Sequence, residues 1–165
     1  EPDRPWSGGK EEQGAWKNGK KHGFWTFWYD NQQIKSQGTY ESGIMNGQWV
    51  FYYENGAKEK EGTLLDGNAD GEWTFYDEMT NKIQEGTFSL GVKEGKWTAY
   101  FSDGRVTEGH YKKGKKDADW TSWWDTGRTR KEMQGSYRSG KMVDKWYFYN
   151  NKGNLKEIRY FSPVF

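Results

Sequence analysis

Three glutamates, Glu61, Glu85 and Glu108, each stand directly before a glycine and recur at intervals of 24 and 23 residues. Two carboxylates across a cleft are the apparatus of glycoside hydrolysis. That chemistry needs two acids in unlike settings. Acids repeated at one position of a recurring unit fit a structural role better, paired with the nearby Lys58, Lys82 and Arg105. The two histidines, His22 and His110, occupy different settings, and each reads as a surface turn residue. No His-Glu-x-x-His, Gly-x-Ser-x-Gly or phosphate-loop pattern occurs. The run Ser7-Gly8-Gly9-Lys10 lacks the strand, loop and helix that would make it a phosphate cradle. Asp66-Gly67-Asn68-Ala69-Asp70-Gly71-Glu72 has the acids and glycines of a calcium loop. It is too short for an EF-hand and lies inside a repeated hairpin. Lys112-Lys113-Gly114-Lys115-Lys116 is the strongest basic cluster, with Asp117 and Asp119 close behind. It reads as a solvated turn, with contact to an anionic lipid or nucleic acid as the alternative. These residues assign no catalytic site, no metal site and no cofactor, and the expectation is a protein that is not an enzyme.

The elements that must position these groups are set by an unusual composition. Hydrophobic residues make up 32 % of the 165-residue chain, against roughly 45–50 % in globular domains. Aromatic residues supply 19 %, as eleven Trp, eleven Tyr and nine Phe. Each ring can bury roughly 150–250 Å², so a few rings per unit replace a missing aliphatic core. The net charge is +1, from 25 basic and 24 acidic residues. That balance gives no drive toward nucleic acid. Without cysteine the chain makes no disulfide and no Cys-based zinc site. No apolar run approaches the length of a membrane-spanning helix. The chain starts at Glu1 with a polar lead-in and no Met, and on that ground export to a periplasm or cell surface is expected over a cytoplasmic location.

Glycines at 14, 38, 62, 86, 109 and 135 open six copies of one unit of about 24 residues. A second glycine follows five residues later in every copy, and a tryptophan eleven residues later: Trp25, Trp49, Trp73, Trp97, Trp120 and Trp146. An aromatic or leucine lies two places after the first glycine, at Trp16, Tyr40, Leu64, Phe88, Tyr111 and Tyr137. Recurrence of this kind marks a repeat architecture. The glycine-to-tryptophan part never changes length, so it is a tight unit. The rest absorbs every insertion and contains a tolerant loop.

Runs such as WTFWY, WVFYY and WTAYF favour strands. Asn55-Gly56, Asp103-Gly104 and their equivalents favour hairpin turns. The expected fold is all-β: an elongated single-layer antiparallel β-sheet of tandem β-hairpin repeats, about 60 Å long at about 4.8 Å per strand. The expected organisation is an N-terminal half-repeat or cap over 1–13, six repeats over 14–154 and a closing strand over 155–165, with Pro163 ending its pairing. Strand alternation sorts the rings into two faces. One carries Trp16, Trp25, Phe27, Tyr40, Trp49, Phe51 and their equivalents, and reads as buried or grooved, a ring laid across a bare glycine on a neighbouring strand being the expected packing device. The other carries Thr26/Trp28, Val50/Tyr52, Thr74/Tyr76, Thr98/Tyr100 and Thr121/Trp123, with Gln13, Gln37, Glu61, Glu85, Glu108 and Gln134. Nine places after the first glycine stand Gly23, Gly47, Gly71 and Gly95, but then Ala118 and Asp144. Either that position needs no positive φ, or the last two turns differ.

The pattern G-x-[WY]-x-x-G-x-x-x-G fits Gly14-Trp16-Gly19-Gly23 and Gly38-Tyr40-Gly43-Gly47 in full. It fits the copies at Gly62 and Gly86 with Leu64 and Phe88 substituted, and those at Gly109 and Gly135 with Ala118 and Asp144 substituted. In this the chain resembles MORN-type repeat proteins over residues 14–161. The Trp-x-Phe-Tyr run and longer loop are similar to the bacterial MORN-variant branch, some of whose members are labelled antitoxin-like. The resemblance implies β-hairpin repeats in a single-layer sheet and, for function, an interaction scaffold.

A single-layer sheet cannot bury both faces. Some of Trp28, Tyr52, Tyr53, Tyr76, Tyr100, Phe101, Trp123, Trp124 and Tyr149 are therefore expected to stay partly exposed. The expected binding surface is Trp28, Tyr52, Tyr76, Tyr100, Trp123, Trp124 and Tyr149, because exposed aromatic patches mark binding sites and Tyr and Trp dominate interface hot spots. The expected partner is a protein, including a second copy in a homodimer. The alternatives are a glycan or cell wall, since aromatic choline-binding-type hairpins look similar, and a lipid surface.

Overall fold

The computed structural model describes residues 11–162. Thirteen strands follow one another: β1 Glu12–Lys17, β2 Lys20–Trp28, β3 Ile34–Glu41, β4 Ile44–Tyr52, β5 Lys58–Leu65, β6 Asn68–Tyr76, β7 Lys82–Ser89, β8 Val92–Tyr100, β9 Val106–Lys112, β10 Lys115–Trp123, β11 Lys131–Arg138, β12 Lys141–Tyr149 and β13 Leu155–Phe161. Their order in the sheet is their order in the chain, and each pairs antiparallel with the next. The result is one open antiparallel sheet, all-β and built of hairpins, as the repeats predict. The lead-in before Glu11, with Ser7-Gly8-Gly9-Lys10, and the stop at Pro163 lie outside the described residues.

Two kinds of turn alternate. Those at the second glycine are two-residue turns with positive φ at both positions, such as Asn18-Gly19 at 51° and 69° and Asp66-Gly67 at 49° and 79°. This is the type I′ geometry whose twist matches that of the flanking strands. From the second repeat on, each glycine N–H reaches back one repeat, as in Gly43 N–H to the Lys21 carbonyl (2.9 Å) and Gly91 N–H to the Ala69 carbonyl (2.7 Å). The turns thereby stack into an edge. Asn55-Gly56 and Asp103-Gly104 belong to the other kind, a longer loop. In residues 53–57 the Tyr53 N–H meets the Ala57 carbonyl, and the Gly56 N–H meets the Tyr53 carbonyl. Only the glycine of that pair takes a positive φ. The Asn55 side chain accepts the Ala57 N–H and donates to the Glu78 carbonyl of the next loop.

The recurring glycine and tryptophan meet across neighbouring strands. Gly38 pairs with Trp49, and Gly62 with Trp73. A Cβ on any of the six first glycines would fall inside the indole of its tryptophan. All six indoles are buried. Each indole N–H donates to the carbonyl one residue past its glycine, from Trp49 to Thr39 (3.1 Å) through Trp73 to Thr63 (2.9 Å). The reason lies in the register. Thr39 pairs with Asn46 while Gly38 pairs with Trp49, so Gly47 and Gln48 bulge out of the β3–β4 ladder. The bulge leaves the Thr39 carbonyl without a ladder donor, and the indole supplies one. Because two residues are inserted, the in–out alternation is preserved.

The bulge also decides the question raised by Ala118 and Asp144. The position has positive φ in all six repeats, from 66° to 81° at the four glycines, and 55° and 58° at Ala118 and Asp144. Both alternatives read from the sequence are therefore wrong. The bulge demands the left-handed conformation everywhere, and the last two repeats accept its strain.

Rings on the indole face touch in an almost unbroken series. Tyr40 meets Trp49 edge-on at 5.3 Å, Phe51 stacks on both Trp49 and Trp73, and Phe88 meets Trp97 edge-on at 5.0 Å. Such pairs contribute about 0.5–1.5 kcal/mol each beyond the area they bury. This file of rings stands where a globular protein would have a second layer.

Candidate binding surface

The opposite face carries the residues singled out from the sequence. Trp28, Tyr52, Tyr76, Tyr100, Trp123 and Tyr149 fall at one repeat position, at the end of each even-numbered strand, and all six are half-buried. Two strands separate neighbours in this column, a spacing of about 10 Å. Trp124 is also half-buried but belongs to the loop after β10, in the column of Tyr29 and Tyr53. Those two tyrosines donate to the backbone carbonyls of Tyr52 (2.7 Å) and Tyr76 (2.8 Å) one repeat on. The Trp124 indole N–H has no partner among the described residues.

The recurring acids hold the phenols. Tyr76 donates to Glu61 at 2.8 Å and Tyr100 to Glu85 at 2.6 Å. The other oxygens of these carboxylates take Lys58 and Lys82, at 2.8 and 2.7 Å. The Lys58 hydrogen bond, helped by Tyr76, holds the Glu61 carboxyl below its ordinary range. Burial pushes Glu85 up, but Lys82 and Tyr100 outweigh it and the net direction is down. Burial, then the adjacent carboxylate, raises Tyr76 and Tyr100. In the first full repeat pair Gln37 stands for the acid and donates to the Tyr52 hydroxyl at 3.5 Å. The pairing read from the sequence is thus found at Lys58 and Lys82 but not at Arg105. Glu108 is held by Lys96 and Arg128, both at 3.2 Å, while Arg105 binds Asp103 and Glu132. The reason is the longer loop before β11, which brings Arg128 over this face.

The other candidates are scattered. The Asp66–Glu72 segment is a two-residue turn followed by the bulge at Gly71, and the Asp70 carboxylate accepts the Leu90 N–H of the next turn. Among the described residues no three His, Asp or Glu side chains gather as a metal site. The lysine cluster divides: Lys112, Lys113 and Lys115 are exposed at the turn edge, while Lys116 lies on the indole face over Trp120 at 4.1 Å.

Sequence reasoning missed two features. Phe24, on the phenol face beside Thr39, is among the three most exposed rings of the described residues, with Trp16 and Tyr160. The second is a gap in the file of rings. Two places after the tryptophan stand Phe27, Phe51, Phe75 and Phe148, but Ala99 and Ser122 in the fourth and fifth repeats. A cleft of about 250 Å³ opens there, lined by Trp97, Ala99, Tyr111, Trp120 and Ser122 with Lys93 and Lys116. The column was visible in the sequence as soon as the tryptophans were aligned.

Fold and surface together define a tandem β-hairpin array with six buried indoles on one face and half-buried rings on both. No family model and no curated protein matches the chain.

Proposed function

We propose that the chain is a non-catalytic binding scaffold that engages a protein partner, its own copy included, through the phenol face. The observation that carries this reading is the column Trp28, Tyr52, Tyr76, Tyr100, Trp123 and Tyr149, half-exposed and regularly spaced. Its tyrosines at 76 and 100 are locked by hydrogen bonds to Glu61 and Glu85. Rings fixed before binding lose little side-chain entropy on docking, and Tyr and Trp are the residues that anchor interfaces. The recurring acids of this face are engaged by lysine, arginine or tyrosine, which favours support over catalysis. The glycine–tryptophan pattern supports grouping the array with MORN-type repeats.

Sedimentation velocity over a range of concentrations tests the homotypic form. The chain is expected to associate, and Tyr76→Ala with Tyr100→Ala is expected to abolish association while the far-ultraviolet dichroism is retained. A strictly monomeric chain removes the homotypic form. A sugar-binding module is the second reading, favoured by the carboxylates beside the Tyr76 and Tyr100 rings, a combination suited to stacking on a sugar and bonding its hydroxyls. Glycan and peptidoglycan pull-downs with the same variant separate it from protein binding.

A further inference from the structure

The gap in the file of rings is not merely an absence of packing. Its walls are apolar and its rim is positive. Lys93 lies over Trp97 at 3.8 Å and over Tyr111 at 5.2 Å, and Lys116 over Trp120 at 4.1 Å and Tyr137 at 5.1 Å. Two other repeats place methionine in this column, at Met45 and Met142, and one places Ala69, so the packing does not require a cation. Where the first repeat has Lys21, Glu12 neutralises it. Among the described residues Lys93 and Lys116 have no such counter-ion. The hydrogen-bond partner of Lys93 is the neutral amide of Gln84, at 3.0 Å, and no carboxylate bonds Lys116. Partial burial lowers both ammonium pKa values, and at Lys93 the Lys116 charge adds to the lowering. The one carboxylate of the lining, Glu132, is taken by Arg105 at 2.9 Å. Even partial burial of a charge without a counter-ion is costly, and here two such half-buried charges flank a ring-sized space.

We propose that this cleft binds a small aromatic carboxylate, the ring occupying the space that Phe fills in the other repeats and the carboxylate bridging Lys93 and Lys116. The ring would lie tilted against Trp97 and Trp120, as Phe75 and Phe148 lie at 32° and 33° to their own tryptophans. The carboxylate would supply the charge that Glu12 supplies to Lys21. The same chemistry is offered by a free aryl acid and by the C-terminal phenylalanine of a peptide. The site is on the indole face, so it stands or falls independently of the partner-binding reading.

The test is a titration followed by the indole N–H resonances of Trp97 and Trp120. The probes are 3-phenylpropionate, the neutral 3-phenylpropanol, and a short peptide ending in phenylalanine compared with its C-terminal amide. Saturable shifts with 3-phenylpropionate, and binding weaker by about tenfold or more with the alcohol, are expected. Binding of the peptide acid in place of 3-phenylpropionate would identify a peptide terminus as the source. Ala99→Phe should eliminate binding with the melting temperature held or raised, since Phe is native to that column. Lys93→Met and Lys116→Met should weaken the acid and leave the alcohol unchanged. The proposal is overturned if neither acid shifts these resonances saturably at millimolar concentration. It is equally overturned if the acid and alcohol bind alike, or if folded Ala99→Phe binds as the parent does.

Discussion

Gly62→Ala isolates the contact on which every repeat depends. The glycine has an ordinary backbone conformation, so alanine is not opposed by φ, and in an open site it would stabilise by about 0.4–1 kcal/mol through the unfolded chain. Here its Cβ would occupy the Trp73 ring, against Cγ, Cδ2 and Cε2. The indole must move. It then gives up its 2.9 Å bond to the Thr63 carbonyl, and leaving that buried acceptor without a donor costs about 1–3 kcal/mol. It also disturbs contacts with Phe51, Phe75 and Phe88 at 6.1–6.3 Å, each worth about 0.5–1.5 kcal/mol, and their partial loss costs about 1–2 kcal/mol. Subtracting the alanine gain leaves a loss of about 1–4.5 kcal/mol, a range that reaches the cost of truncating a core aromatic. Urea unfolding followed by both fluorescence and far-ultraviolet dichroism measures it. The decisive comparison is the same substitution in a Trp73→Ala background. With the ring gone the atoms that the Cβ overlaps are removed, and the cost should vanish, giving a coupling of about 2 kcal/mol or more. A loss below about 0.5 kcal/mol in the parent, or an equal loss in both backgrounds, would show that the indole is not seated by the bare glycine.

Ala118→Gly should stabilise the protein by about 0.5–1 kcal/mol, because relief of a left-handed alanine exceeds the entropy lost to glycine; the urea midpoint reports it. Asp144→Gly should gain less, since Asp tolerates that region better. Stability should also fall in acid. Glu61 and Glu85 have depressed folded-state pKa values, so their contribution is full above the ordinary carboxylate pKa and is lost as pH falls through the depressed one. The pairs are about one-third exposed, so each contributes no more than a few tenths of a kcal/mol. Unfolding midpoints from pH 7 downward should show the loss, and Glu61→Gln with Glu85→Gln should shrink it.

Much of the fold was legible because repetition amplifies weak signals. One Gly-x-Trp is uninformative, but six at a fixed eleven-residue interval define a unit. Alternation then assigned Trp25 and Tyr52 to opposite faces. The aromatic column was equally legible, though Trp124 was grouped with it. That residue follows Trp123 in the chain, and only the start of the loop moves it to the column of Tyr53. The pairing of Glu108 was illegible because its partners, Lys96 and Arg128, come from before and after it in sequence.

By itself the sequence determined the repeat, its two strands, the bare glycine beneath each indole and the separation of rings from acids. These follow from local sterics and a two-residue period, which act over a few residues. Only the tertiary structure decided that Ala118 and Asp144 must be left-handed, that the indole N–H completes the carbonyl freed by the bulge, and that Lys93 and Lys116 share a cleft without a counter-ion. Each depends on what the neighbouring strand presents at that height. Register, not composition, sets that distance.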